Sequence, residues 1–299
     1  MKALVINKPG ELQVKDLPTP AIGADEVLVR MRAVGICHSD YELYSGKYII
    51  PIDYPVTPGH EWSGEVVETG KAVGGLKAGD RVVEAGCGWG ALALHMAREY
   101  GATVRAFNVS HEQIAFARER AAREGLAGRV EFVEDDYRNI SGTFDIFVSV
   151  GMLEHVGLPD YATFGDVIDR ALAPDGRALL HFIGRNQPKP LNAWIRKRIF
   201  PGAYPPTLAE VFLGVIEPHG FSVLDVENLR LHYALTLKHW LERFDRSTHE
   251  IATMFDAPFV RAWRLYLAGS QASFTTGAMQ LFQVVLARGE TNRVPWTRP

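Results

Sequence analysis

Glu84, Gly86, Gly88 and Gly90 alternate along VVEAGCGWGALAL, between an apolar run and a stretch of good helix formers. Glycines let a backbone turn sharply and approach a ligand closely. The helix that follows would offer its N-terminal N–H groups to that ligand. Such a loop holds a nucleotide. Two further sets of residue types could do chemistry. Glu154, His181 and Tyr233 supply a carboxylate, an imidazole and a phenol in the second half of the chain. Cys37, His60 and Glu61 supply a thiolate, an imidazole and a carboxylate in the first quarter, all of them proper zinc ligands.

The nucleotide is decided by where the acid stands. Gly86-x-Gly88-x-x-Ala91 satisfies a dinucleotide fingerprint, but that fingerprint expects an acid about 20 residues later to hold the ribose. The next strand ends in Phe107-Asn108-Val109, with no acid. The acid instead precedes the first glycine, at Glu84. That order resembles the first motif of class I methyltransferases, which bind S-adenosylmethionine (SAM). The resemblance puts Asn108 and Gln113 near the amino acid or ribose of SAM, and Asp135 and Asp136 where such enzymes hold adenine. Each has a plain alternative. Ser110 and Gln113 form a capping box for a helix, and Asp135-Asp136 reads equally as a solvated acidic turn. Cys87, inside the loop, counts for its backbone; no base or second cysteine is placed to make it a nucleophile.

Downstream motifs extend the resemblance. They are Gly151-Met152-Leu153-Glu154-His155-Val156-Gly157, Leu180-His181-Phe182-Ile183-Gly184, Trp194-Ile195-x-Lys197-x-Ile199-Phe200-Pro201, Glu217-Pro218-His219, His232-Tyr233-x-x-Thr236-Leu237-x-x-Trp240, and Gln280-Leu281-Phe282-Gln283. In order, and without large gaps from residue 82 to about 290, they resemble cyclopropane-fatty-acyl-phospholipid synthases and mycolic acid cyclopropane synthases. The resemblance implies methylene or methyl transfer from SAM to the double bond of an unsaturated phospholipid acyl chain. It implies a bound bicarbonate as base, held by the side chains of Glu154, His181 and Tyr233 and by the backbone of Ile183. On pattern alone Glu154-His155 is a polar loop and His181 a satisfied core histidine.

The elements that must position these groups follow from periodicity. Strands and helices alternate after residue 81, which argues for a parallel sheet with helices on both faces. Expected strands are Val82–Ala85, Thr103–Phe107, Val130–Glu134, Ile146–Val150, Arg177–Phe182, Ser222–Glu227 and Gln280–Ala287. Helices are expected near 91–100, 111–124, 160–172 and 207–219, with more over 234–272. Residues 185–206 read as a surface excursion. The fold class is α/β, a Rossmann-like methyltransferase sheet, and the resemblance implies that the inserts build a lipid pocket. Trp194, Arg196, Lys197, Arg198 and Phe200 mix cations with large apolar groups, which suits peripheral contact with anionic headgroups.

Residues 1–81 differ in character. They are rich in Val, Gly and Pro, with short runs Lys2–Ile6, Glu26–Val34 and Gly64–Glu68 separated by Pro9-Gly10, Pro58-Gly59 and Gly74-Gly75. This reads as a small β-domain. Gly35-Ile36-Cys37-His38-Ser39-Asp40, Pro58-Gly59-His60-Glu61-x-x-Gly64 and Gly79-Asp80-Arg81-Val82 resemble the GroES-like start of zinc-dependent medium-chain alcohol dehydrogenases. There Cys37, His60 and Glu61 would sit at or beside zinc. The four-cysteine lobe, the later ligand and that family's NAD domain are missing, so remnant packing and weak metal binding both stand. One strand ends the first pattern and begins the second, as in a fusion with domains 1–81 and 82–299. The synthase family's N-terminal helices and their cysteine are thereby replaced, so low activity is expected. A zinc-binding module with a degenerate SAM-binding half is the rival reading.

The 299 residues carry a net charge of −3, so no global field draws the chain to nucleic acid. No run approaches a membrane span, and MKALVINKPGELQ has no signal-peptide core. Two cysteines make no disulfide framework. The expected location is the cytoplasm, peripheral to the inner face of the membrane, with a homo-oligomer left open.

Overall fold

The computed structural model describes residues 1–23, 26–34, 38–48, 51–59, 62–69 and 79–290. The chain divides into two compact units, Met1–Gly75 and Leu76–Pro299. Among its described residues, the first holds two antiparallel pairs and one helix. Strand β1 (Lys2–Lys8) turns through Gly10 into β2 (Glu11–Asp16), and β3 (Val27–Val34) pairs with β4 (Trp62–Thr69). Helix α1 (His38–Ser45) lies between them in sequence, and its Tyr44 carbonyl accepts from the Gly10 N–H at 2.7 Å. Cys37, His60 and Glu61 lie outside the described residues, as does Gly74-Gly75. Among the described residues, no group of three or more His, Cys, Asp or Glu could hold a metal ion.

The second unit alternates strand and helix as its periodicity demands. In chain order come β5 (Arg81–Ala85), α2 (Ala91–Tyr100), β6 (Thr103–Asn108), α3 (His111–Arg123), β7 (Val130–Glu134) and β8 (Phe144–Val150). There follow α4 (Leu153–Val156), α5 (Tyr161–Ala171), β9 (Leu172–Gly184), α6 (Ala193–Arg198), α7 (Leu208–Val211), β10 (Phe221–Asn228), α8 (Arg230–Arg246), α9 (Thr248–Met254), α10 (Ala257–Thr276) and β11 (Gln280–Arg288). The sheet order is β10-β11-β9-β8-β5-β6-β7. Strand β5 is interior, between β8 and β6, and Val82, Val83, Glu84 and Ala85 are all buried, as a strand covered on both faces requires. Val83 joins a core with Phe147, Phe164, Ile168 and Phe182 on one face. Val82 joins Leu94, Ala106, Ile114 and Phe132 on the other.

Two expectations need correction. The sheet is not wholly parallel, because β11 runs antiparallel to β9 and β10. The helices between β10 and β11 explain it. Helices α8 and α10 pack against each other and leave β11 starting at the edge where β10 ends, so that Asn228 Nδ2 donates to Gln280 Oε1 at 2.9 Å. A chain that returns to the same edge must run back across the sheet. The segment 207–219 is also not one helix; α7 passes into a π turn at Phe212–Ile216 and a 3₁₀ turn at Glu217–His219. Pro218, which has no N–H to continue an α-helix, sits in that last turn.

Candidate active site and nucleotide loop

The glycine loop joins β5 to α2 at the carboxyl edge, where the strand order reverses between β5 and β8, the usual ligand crevice of such sheets. Gly86, Gly88 and Gly90 all have left-handed φ, of 85°, 53° and 78°. Their reasons differ. A Cβ on Gly90 would come within 2.6 Å of the Phe132 ring and 2.8 Å of Ala117, so this glycine lets α2 settle against its neighbours. A Cβ on Gly88 would meet nothing, so its backbone is open to a ligand. Gly90→Ala is expected to cost about 2–4 kcal/mol, from left-handed strain plus overpacking. Denaturant unfolding checks this; a loss below about 1 kcal/mol would show that the neighbours give way.

Glu84 is buried, accepts from the Ala93 N–H, and leaves Oε2 without a partner. Burial pushes its carboxyl up to about 7. Desolvation, helped by the Glu84 charge, pushes the Cys87 thiol up to about 12, so it stays protonated. The Asn108 side chain donates to Gly88 O at 3.3 Å and to Gln113 Oε1 at 2.6 Å. That second bond alters the expected capping box. Ser110 Oγ accepts from the Gln113 N–H, but the Gln113 side chain turns to Asn108 instead of back to Ser110. At the end of β7, Asp135 accepts from Asn139 Nδ2, and Asp136 caps the next turn and pairs with Arg138. Glu84, Asn108, Gln113 and Asp135 thus cluster along the ends of β5, β6 and β7. The Asp136 carboxylate is occupied by its own turn.

A second site lies past the ends of β8 and β9. Helix α4 carries Glu154, which is buried, and its Oε1 accepts from the Ile183 N–H at 2.6 Å. Oε2 has no partner, and burial pushes the carboxyl up to about 7. Glu154, Ile183 and Tyr233 line one cavity of about 590 Å³. Desolvation pushes the Tyr233 phenol up to about 12, which keeps it a hydrogen-bond donor. His181 stands two residues before Ile183 on the same face of β9 but does not line that cavity. Its Nδ1 is buried without a partner, and burial lowers its pKa, so the ring is held neutral. The buried Tyr161 hydroxyl also lacks a partner, and desolvation, helped by the Glu154 charge, raises its pKa. A carboxyl able to carry a proton, with Oε2 unpartnered, facing the same cavity as the Tyr233 phenol suits a small oxyanion. The Ile183 N–H is already given to Glu154, so Ile183 bears on the site by orienting that carboxyl.

The rest of the cavity is chiefly apolar. Leu191, Trp194, Ile195 and Phe200 close one side from the 185–206 excursion, which contains α6, and Tyr266 and Phe274 close the other from α10. Arg185, His155 and Tyr266 also line it and were not singled out from sequence. Arg185 directly follows the end of β9, the position where sheets of this type present functional groups, and that placement is a signal sequence reading could have used.

The model of the mycolic acid cyclopropane synthetase family matches residues 68–284. The chain is 41% identical to the cyclopropane-fatty-acyl-phospholipid synthase of Escherichia coli over 73% of its own length and 56% of that relative's. It is 38% identical to a probable fatty acid methyltransferase of Pseudomonas putida, over 75% of its own length and 59% of the relative's. The chain therefore spans little more than half of each of these relatives. The cyclopropane synthase MmaA2 from Mycobacterium tuberculosis superposes with a TM-score of 0.67 at 27% identity, covering 72% of this chain and 80% of that one. The mycolic acid cyclopropane synthase CmaA1 complexed with SAH and CTAB gives 0.66 at 25% identity, covering 71% and 79%.

Proposed function

The chain belongs to the mycolic acid cyclopropane synthetase family, and on that premise we propose that it transfers a one-carbon unit from SAM to the double bond of an unsaturated phospholipid acyl chain. The observation that carries the reading is the pairing of the open glycine loop with a largely apolar cavity that has one buried, half-satisfied carboxyl at its wall. SAM supplies an electrophilic methyl group. Glu84, the Gly86–Gly90 backbone with Cys87, Asn108, Gln113 and Asp135 are assigned to its binding, while Asp136, whose carboxylate is held by Arg138, is assigned to shaping the turn.

Attack by an alkene leaves a cationic carbon, so the protein must keep water out and place a base beside that carbon. The apolar walls from Trp194, Phe200 and Phe274 perform the first task. Bicarbonate would supply the base, held by Glu154, His181 and Tyr233, with Ile183 fixing Glu154. A neutral Glu154 donates a hydrogen bond to an anion, whereas an ionised one repels it. Holding the carboxyl near 7 keeps the neutral form available. The bilayer contact is assigned to Trp194, Arg196, Lys197, Arg198 and Phe200. Among the described residues, no helix is long and apolar enough to cross a membrane.

Residues 1–81 remain assigned to a dehydrogenase-like, GroES-like β-domain fused to the methyltransferase domain, with Cys37, His60 and Glu61 as a weak zinc set. The function is tested by incubating the protein with SAM and unsaturated phospholipid and weighing the lipid. A gain of one CH2 is expected, and calorimetry is expected to show SAM binding with no NAD binding. NAD binding tighter than SAM would overturn the reading.

A further inference from the structure

The cavity that holds Glu154 also holds a cation with nothing to balance it. Arg185 lines it, directly after β9. The guanidinium Nε is buried without a partner, and among the described residues Arg185 joins no ion pair. Glu154 is the one acid among the described residues that line the cavity. Its carboxyl, pushed up to about 7, is a weak counter-charge and is already bound to the Ile183 N–H. Desolvation pulls the pKa of Arg185 down, yet a guanidinium does not give up its proton in a protein. Burial lowers the pKa of His155 as well, which leaves that ring neutral. Arg185 is thus the one fixed charge among the described lining residues. A half-buried charge without a counter-ion is costly, and in a cleft it marks a place that a ligand completes.

The backbone holds this cation in place. The Arg185 N–H donates to Pro206 O at 2.8 Å, and Arg185 forms a parallel bridge with Thr207. A Cβ on Gly184 would come within 2.7 Å of that same carbonyl and 2.9 Å of the Phe282 ring, so the 206–207 segment is pressed against the sheet. Thr207 is fixed in turn by its capping box with Glu210. The Glu210 carboxylate also accepts from the Tyr204 hydroxyl at 2.8 Å, so it is committed to its own turn. A mount of this kind preorganises a binding group. Arg185 stands two residues beyond Ile183, about 7 Å further along an extended backbone, and so away from the point where Ile183 holds Glu154. The cavity, at about 590 Å³, has room for far more than a small oxyanion. Its apolar walls suit a run of methylenes, and a guanidinium fork suits a carboxylate or a phosphate.

We infer that Arg185 holds an oxyanion that is covalently part of the lipid, so that the negative head of the substrate enters the cavity and sets how far its acyl chain runs past Glu154. The inference rests on the acyl-transfer reading above and narrows its substrate class to an unsaturated acyl chain that ends in a carboxylate or carries a phosphate.

Equilibrium binding in non-ionic detergent micelles tests this without turnover and without a bilayer. Oleate, oleoyl lysophosphatidate and monoolein carry the same acyl chain and differ in the charge of the head. Wild type is expected to prefer both anions to monoolein. Arg185→Gln is expected to cut that preference about 10–100-fold, as loss of hydrogen bonds between charged groups does. The anion that loses more identifies the source, a fatty acid or a phosphate ester. Arg185→Lys keeps the charge without the planar fork and should fall between wild type and Arg185→Gln. SAM affinity should not move. Without lipid, Arg185→Gln should unfold at the same denaturant concentration as wild type or higher, because an unbalanced cation has left the interior. Wild type that binds monoolein as tightly as the anions would overturn the inference. So would a preference unchanged in Arg185→Gln, the result expected if the guanidinium held bicarbonate instead. An earlier unfolding midpoint for Arg185→Gln would also overturn it, since the protein itself would then be satisfying the guanidinium. Lost preference without any CH2 transfer by wild type would leave Arg185 standing while the reaction reading falls.

Discussion

Glu154→Gln is expected to lower turnover about 10²–10⁴-fold, the usual loss when a placed proton-transfer system is dismantled. The amide is nearly the shape of the carboxyl, and its oxygen can still accept from the Ile183 N–H that Glu154 holds at 2.6 Å. The fold therefore has no reason to loosen. What disappears is the proton that the buried carboxyl can carry near pH 7. The amide nitrogen still donates, but a group that cannot change charge no longer tunes an anion beside it. SAM affinity should be unchanged, because the nucleotide loop follows β5 while Glu154 follows β8. Steady-state rates with calorimetry on the same sample decide the matter. Turnover near that of wild type would sink the assignment, and lost SAM binding would mean that Glu154 belongs to the other site.

How much of this was legible before any coordinates is uneven, for physical reasons. Six of the seven strands of the large sheet were placed to within two residues, because each is a short run that must be buried, while β9 begins five residues before the expected Arg177, at Leu172. The direction of β11 was not, since strand composition is the same either way and the reversal comes from how α8 and α10 pack. The carboxyl-edge position of Glu154 was legible from its place just after an apolar run. Its bond to Ile183, nearly thirty residues away in sequence, depends on the register of β8 against β9. Tyr161 reads as a helix residue whose apolar neighbours explain it fully. Its orphaned hydroxyl follows only from the fold. Arg185 was passed over because a lone cation beyond a strand usually points to solvent.

The second large effect concerns Glu84, and it has a sign that can be checked. Its carboxyl sits at about 7 in the fold against an ordinary 4.5, for want of solvent. Between those values the unfolded chain releases a proton that the folded chain keeps. Stability therefore falls as pH rises through that window, by up to about 3 kcal/mol for a fully buried group, and nothing further is lost above it. Glu154 adds a similar dependence. Cationic SAM reverses the preference at Glu84, because a positive charge beside the carboxyl favours its ionised form. SAM binding should then release a proton at pH 6 and tighten between pH 6 and 8. Glu84→Gln is expected to remove that pH dependence and to weaken binding at pH 8 about 10–100-fold, the worth of a charge-assisted hydrogen bond. The same variant should unfold at higher denaturant than wild type at pH 8 in the absence of SAM, since a buried ionisable group has been replaced by one that cannot charge. Calorimetry in buffers of different ionisation enthalpy counts the proton directly. A wild-type affinity that is flat from pH 6 to 8, with no proton released, would remove Glu84 from the cofactor site and leave its burial as a cost of the interior strand alone.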